Sequence, residues 1–142
     1  MKNAILLSMQ TNLGKKGNDA ALLFFRVAIA SELIIAHGLK KIGIGVVIAE
    51  IVPNPLGLPE AINQAFATSA NIIMPLFIVL GLFTRIATLP ILAVTVTGYF
   101  VVHFNDPLLI KDIPFMYSVS FLLIAITGAG KYSLDHYFTT KN

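Results

Sequence analysis

The sequence predicts an all-α protein, a four-helix transmembrane bundle with a short interfacial helix between helices 1 and 2. Three observations predict it. The chain is 56% hydrophobic and only 12% charged, where soluble domains carry roughly 25% charged residues. Its mean hydropathy is +0.82. Its apolar residues fall into four runs near the length that crosses ~30 Å of hydrocarbon, without the strict alternation of barrel strands. Lipid contact leaves a chain only helices or a closed barrel, and these runs read as helices. The 142 residues suit one domain.

Segment one covers 20–39, about 30 Å at ~1.5 Å per residue. "GNDAALLFF" opens it, with Asn18 or Asp19 as a candidate N-cap. The preceding "MKNAILLSMQTNLGKKGND" has a very short apolar run and no small-residue cleavage site, so it reads as a polar or interfacial tail rather than a signal peptide. The domain organisation expected is a cytoplasmic tail over 1–19, a membrane domain over 20–138 and a tail over 139–142. Residues 42–52 are too few to span and contain Glu50, which suggests a short interfacial helix before "PNPLGLP" breaks the chain. The alternative is that segment one continues through this region as a long helix. Segment two covers 61–83. Segment three covers 86–104, after the short link "TR". Segment four covers 113–129, with Pro114 placed for a first helical turn. "GAGKYSLD" then supplies glycines to end that helix, and Ser133 or Asp135 to cap a short "LDHYF" helix.

Composition narrows the function classes. There are no cysteines, which excludes thiolate metal sites, protein-held iron–sulfur clusters and dithiol chemistry on this chain. No nucleotide loop, Ser/His/Asp arrangement or paired-carboxylate site is visible, and "GIGVV" is too short for a dinucleotide fingerprint. The net charge of +3 fits basic flanks of membrane spans better than nucleic-acid binding. With four spans, one side collects Lys2, Lys15, Lys16, Arg26, Arg85, Lys131 and Lys141, and the other Lys40, Lys41 and Lys111. That excess places both termini in the cytoplasm.

Each span carries a polar stripe at helical spacing. At about 100° per residue, Arg26, His37 and Lys41 share a face of segment one, with Glu32 well off it. Gln64, Thr68, Asn71 and Pro75 line segment two. Thr88, Thr95, Tyr99 and His103 line segment three, and Tyr117, Ser120 and Thr127 group loosely in segment four. Small polar residues of this kind usually serve as packing between helices, and Pro75 reads first as a kink. The ionisable residues are different, because a charge at mid-bilayer costs at least ~2.5–3.5 kcal/mol. Arg26 is close enough to an end to snorkel. Glu32 is not, and must be protonated, paired or facing a wet cavity. His37 and His103 lie near one membrane face and form a formal pair for a metal or haem. Two ligands without a third make that weak, so no protein-ligated metal is expected.

"HGLKK" at 37–41, "LGLP" at 56–59, "LGLFTR" at 80–85 and "GAGKYSLD" at 128–135 occur in this order. In these motifs the chain resembles the DoxX family of small bacterial membrane proteins. The resemblance implies a four-helix protein of the bacterial cytoplasmic membrane. It marks Arg26, His37, Gly38, Lys41, Gly57, Pro59, Gly81, Arg85, Gly128, Gly130, Tyr132, Ser133, Leu134 and Asp135. Relatives include a subunit of a thiosulfate:quinone oxidoreductase and members proposed to sit in oxidative-stress complexes. Two departures stand out. Asn71 occupies a place where the family pattern has an acid, a carboxylate that Glu32 could supply from segment one, and the Arg26-to-His37 distance is one residue longer than in the pattern. An Arg85–Asp135 ion pair clamping the cytoplasmic end is a further expectation.

Two functions follow. The first is an accessory subunit of a redox or quinone-linked membrane complex, more an assembly component than an autonomous enzyme. Arg26, Glu32, His37, Asn71 and Tyr99 would offer hydrogen bonds to a quinone headgroup, and a partner redox protein would supply electrons. The alternative is a non-enzymatic small-molecule binder, carrier or membrane chaperone that works as a homo-oligomer. The expected partners are the lipid bilayer and either a redox protein or a second copy, with no nucleic acid. The candidate polar site is Arg26, Glu32, His37, Lys41, Asn71, Tyr99 and His103. Arg85, Gly128, Gly130, Tyr132 and Asp135 form a structural motif at one end.

Overall fold

The computed structural model describes residues 14–141. Most of the tail expected over 1–19 lies outside the described residues, and so does Asn142. Four helices are long and apolar enough to cross a membrane: α1 (Gly14–Lys41), α2 (Glu60–Leu80), α3 (Thr84–Val102) and α4 (Leu108–Thr127). A short α5 (Leu134–Thr140) follows. The expectation of an all-α, four-helix membrane bundle holds.

The boundaries differ from expectation for identifiable reasons. α1 already includes Asn18 and Asp19, so neither caps it. The Asp19 carboxylate instead accepts the backbone N–H of Lys131 at 3.3 Å, from the far end of the chain. α1 stops at Lys41, and the connection over 42–59 holds turns and bends without a helix. This corrects both the interfacial helix and the continued helix one. Gly43 and Gly45 take φ of +80° and +79°, which helical backbone cannot use. The N–H groups of Gly43 and Glu50 return to the carbonyl of Lys40, and that of Ile44 to Leu39, so the loop folds back to satisfy the last carbonyls of α1. α4 begins at Leu108 with Pro107 as its cap residue. Pro114 therefore lies well inside α4 rather than in its first turn.

α2 is broken at Ile72, whose φ and ψ are −124° and −59°. Pro75 explains the break, since it has no N–H for the Asn71 carbonyl one turn earlier. The helix ends in a Schellman turn: Gly81 at φ +68°, with Leu82 N–H on Phe77 O at 2.9 Å and Gly81 N–H on Ile78 O at 3.1 Å. α1 and α3 each contain one turn of π-helix, Ile34–Gly38 and Gly98–Val102. In these the Leu39 and His103 N–H groups reach back five residues to Ile34 and Gly98.

α3 and α4 pack along most of their length, α1 packs on the second half of α2, and α1 touches α4 only lightly. The core is Ala30, Leu33, Ile78, Ala87, Ile91, Tyr117, Phe121 and Ile124. Outside it, Phe24, Leu76, Leu89, Phe100, Met116 and Ile126 are exposed. In a soluble protein such a surface would aggregate; here it is the surface offered to lipid.

Candidate functional site

Arg26 is the most enclosed charged residue, at 1% exposure. This corrects the snorkelling expectation. The α2–α3 corner and the chain after α4 close over it and supply its acceptors. The guanidinium donates to the carbonyls of Ile78, Val79 (2.8 Å) and Tyr132. These are end-of-helix and loop carbonyls without a helical N–H of their own or with room for a second donor. Its Nε is enclosed without a hydrogen-bond partner. Gly81 is required beside it: a Cβ there would sit 2.8 Å from Arg26 Nη1 and 2.5 Å from Ser133 Cβ.

Asp135 and Arg85 lie at the same end but do not form the expected pair; among the described residues no ion pair joins them. The Asp135 carboxylate closes the start of α3, accepting Phe83 N–H at 2.7 Å and Thr84 N–H at 2.9 Å, while its own N–H binds Gly81 O at 2.8 Å. It is an N-cap delivered from 51 residues away, and it holds Phe83 at a positive φ of 47° that costs a non-glycine residue of order 1 kcal/mol. Arg85 lies across Gly128 and donates to Ile126 O at 3.2 Å. Gly128 and Gly130 take the positive φ expected of them. Ser133 caps α5 through His136 N–H at 3.1 Å.

Further along α1, the His37 ring meets the Tyr117 ring of α4 edge-on, with centroids 5.3 Å apart. One residue on, Gly38 lies directly on the break in α2. A Cβ at Gly38 would be 2.5 Å from the Asn71 carbonyl oxygen and 2.8 Å from Ile72 Cγ1. Asn71 is buried in this α1–α2 contact. Glu32 is exposed on the outside of α1. It lies within electrostatic range of His37 and Tyr117, and among the described residues no hydrogen bond joins it to Asn71. Thr95 and Ser118 bridge α3 and α4 at 2.9 Å, as packing glue.

At the loop end, Lys41 and Lys40 reach Glu50 at 3.1 and 3.6 Å. Burial acts to raise the Glu50 pKa, but the Lys41 hydrogen bond and the two ammonium charges outweigh it and hold the carboxyl below the usual carboxylate range. His103 pairs with Asp106 at 2.7 Å, and Tyr99 packs on Phe100 and Phe115 with Lys111 near its ring. The seven residues of the candidate polar site thus occupy separate levels. His37 and Glu32 with Tyr117 form one group; Asn71 is buried beside it under Gly38; Arg26 belongs to the opposite end; Lys41, Tyr99 and His103 belong to the loop end. His37 and His103 have different partners, and among the described residues no cluster of His, Cys, Asp and Glu could hold a metal. Sequence reasoning missed Glu50 as the partner of two lysines, Thr84, and the His37–Tyr117 contact. For Glu50 the signal was present, as an acid nine residues after a Lys pair.

Comparison with known proteins adds a family. The DoxX family model matches residues 21–104. An uncharacterized protein of Haemophilus influenzae is 30% identical over 127 residues, 84% of this chain and 83% of that protein. No solved structure matches.

Proposed function

The chain belongs to the DoxX family of membrane proteins, and from that premise we propose that it serves as an accessory subunit, docking onto a partner membrane protein through the outward face of α1. One observation carries the reading. Glu32 lies about 18 Å along α1 from Ala20 and ~12 Å short of Lys40, at ~1.5 Å per residue, and its side chain faces outward. A carboxylate there, left in lipid, costs at least ~2.5–3.5 kcal/mol. A partner helix that presents a basic or hydrogen-bond-donating side chain at this depth removes that cost. The bundle's internal polar groups support the same reading, since Arg26 and the Thr95–Ser118 pair are engaged with the protein itself.

The redox, quinone-linked form of this proposal draws its support from the resemblance and from the lack of cysteine, which leaves electron carriage to a partner. Of the donors weighed for a quinone headgroup, Glu32 and His37 are in range of one another, with Tyr117. We place the protein in the bacterial cytoplasmic membrane with both termini inside, on the excess of Lys and Arg at that end. The test is purification in mild detergent of the wild type and the Glu32→Leu variant from the native membrane. The wild type is expected in a stoichiometric complex with a membrane partner, and the variant alone with an unchanged thermal midpoint. An intact complex in the Leu variant would sink the proposal.

A further inference from the structure

We propose that the cleft between the start of α3 and α5 binds a phospholipid headgroup that carries both a phosphate and a primary ammonium. The cleft has a volume of about 570 Å³, and its polar lining includes Thr84, Arg85, Ser133, Asp135 and His136. Arg85 makes one hydrogen bond, from Nη2 to Ile126 O, so among the described residues its Nε and Nη1 donors have no partner. The His136 ring makes no hydrogen bond there either. These donors suit a phosphate, to which a guanidinium fork gives two charge-assisted bonds. On the same wall, each Asp135 oxygen accepts one backbone N–H and keeps a lone pair for an ammonium.

The opposite charges choose the ligand class. A plain phosphate or an anionic headgroup would meet Asp135 beside Arg85, and a lone cation would meet Arg85 beside Asp135. A zwitterion meets each with its complement. The floor of the cleft holds a second, independent observation. Thr84 lines the cleft, is 1% exposed, and its enclosed hydroxyl has no hydrogen-bond partner; a headgroup oxygen that reaches it by a small shift of the cleft wall supplies the missing acceptor. A buried polar group left without a partner is uncommon enough to need such an explanation.

The location selects a lipid over a free metabolite. Thr84 is the first residue of a membrane-crossing helix and Thr127, just before the cleft, the last of another. Phe83, Ile86 and Leu89 are exposed along the outward side of α3, a track for an acyl chain running from the cleft into the bilayer. Tyr132, Tyr137 and Phe138 are exposed beside it, the aromatic belt that marks headgroup depth.

The experiment is native mass spectrometry of the full-length protein in detergent, titrated separately with phosphatidylethanolamine, phosphatidylcholine and phosphatidylglycerol of identical chains, and with inorganic phosphate. Phosphatidylethanolamine is expected to bind at least about tenfold more tightly than the other lipids, the loss expected for a charge-assisted bond. Inorganic phosphate is expected not to bind at the same concentrations. Asp135 also closes the start of α3, so the deciding variants are Arg85→Gln and His136→Gln, with Arg85→Lys as the charge-retaining control. Arg85→Gln should abolish the preference, His136→Gln should weaken it, and Arg85→Lys, a single ammonium without the fork, should keep part of it. Equal binding of the three lipids, preference for phosphatidylglycerol, phosphate binding as tight as lipid, or an unchanged preference in Arg85→Gln would each overturn the proposal.

Discussion

Replacing Arg26 with methionine keeps an unbranched stem, shorter than arginine's, and removes its five donors. Three carbonyls lose a charged hydrogen-bond partner, those of Ile78, Val79 and Tyr132. Ile78 O retains the Gly81 N–H, so two are left without this donor in a region where Arg26 is 1% exposed. An unsatisfied buried acceptor costs about 1–3 kcal/mol, which gives ~2–6 kcal/mol for the pair. Loss of one partner of a buried charged cluster typically costs ~3–5 kcal/mol, within the same range. The chain has no tryptophan, so the assay is far-UV circular dichroism at the helix band during heating in detergent. At roughly 2–4 °C per kcal/mol for a chain of this size, the midpoint should fall by about 10 °C. Arg26→Lys, one donor group on a flexible stem, should recover part of the loss and no more. A midpoint within ~2 °C of wild type for Arg26→Met would refute the view that this side chain holds the α2–α3 corner to the chain after α4.

Other perturbations test the remaining contacts. Gly38→Ala drives a methyl into the Asn71 carbonyl at the α2 break and should lower stability by about 1–3 kcal/mol, read in the same thermal assay. Asp135→Arg should uncap α3 and destabilise the protein, and adding Arg85→Asp should give no rescue, because the two side chains serve different partners; recovery in the double variant would mean that they pair after all. The Glu50 carboxyl is held below the usual range in the folded protein, so its stabilising contribution is present above the unfolded pKa of ~4.3 and lost as pH falls through the folded value. Protection against hydrogen exchange over residues 42–59, corrected for the intrinsic pH dependence of exchange, should therefore hold from neutral pH to about pH 4 and fall below it, and Glu50→Gln should show the lower protection throughout.

What the sequence revealed depended on whether a residue's partners lie close along the chain. The four spans were legible because the length of an apolar run is a local property, and the glycine turn after α4 because positive φ selects glycine wherever it occurs. Arg26 was misjudged because its acceptors are carbonyls 52 to 106 residues away, and a carbonyl carries no sequence signal. Asp135 was expected to seek the nearest opposite charge. It takes two N–H groups at a helix start instead, which leaves no trace in a charge count. The interfacial helix failed on Gly43 and Gly45, which lay inside the expected helix but take a positive φ. The polar stripes of segments one and three were drawn at a constant angle per residue, and each crosses a turn where that angle changes. Thr88 and Thr95 are buried as the stripe requires, while Tyr99 and His103 beyond them are only half-buried.

The π-turn at Ile34–Gly38 also bears on the length of α1. A π-turn holds one residue more than the α-turn it replaces. An extra residue in an uninterrupted α-helix would swing everything beyond it by about 100°. A single wide turn absorbs the insertion locally, so the Arg26 end keeps its seat on α2 while Gly38 still lands on the Asn71 carbonyl. Shortening the segment by deleting Ile35, exposed on the outer side of that turn, should return it to plain α-helix with both anchors in place. A chain that tolerates that deletion would show that the two ends of α1 were indexed independently and that the turn is the spacer between them.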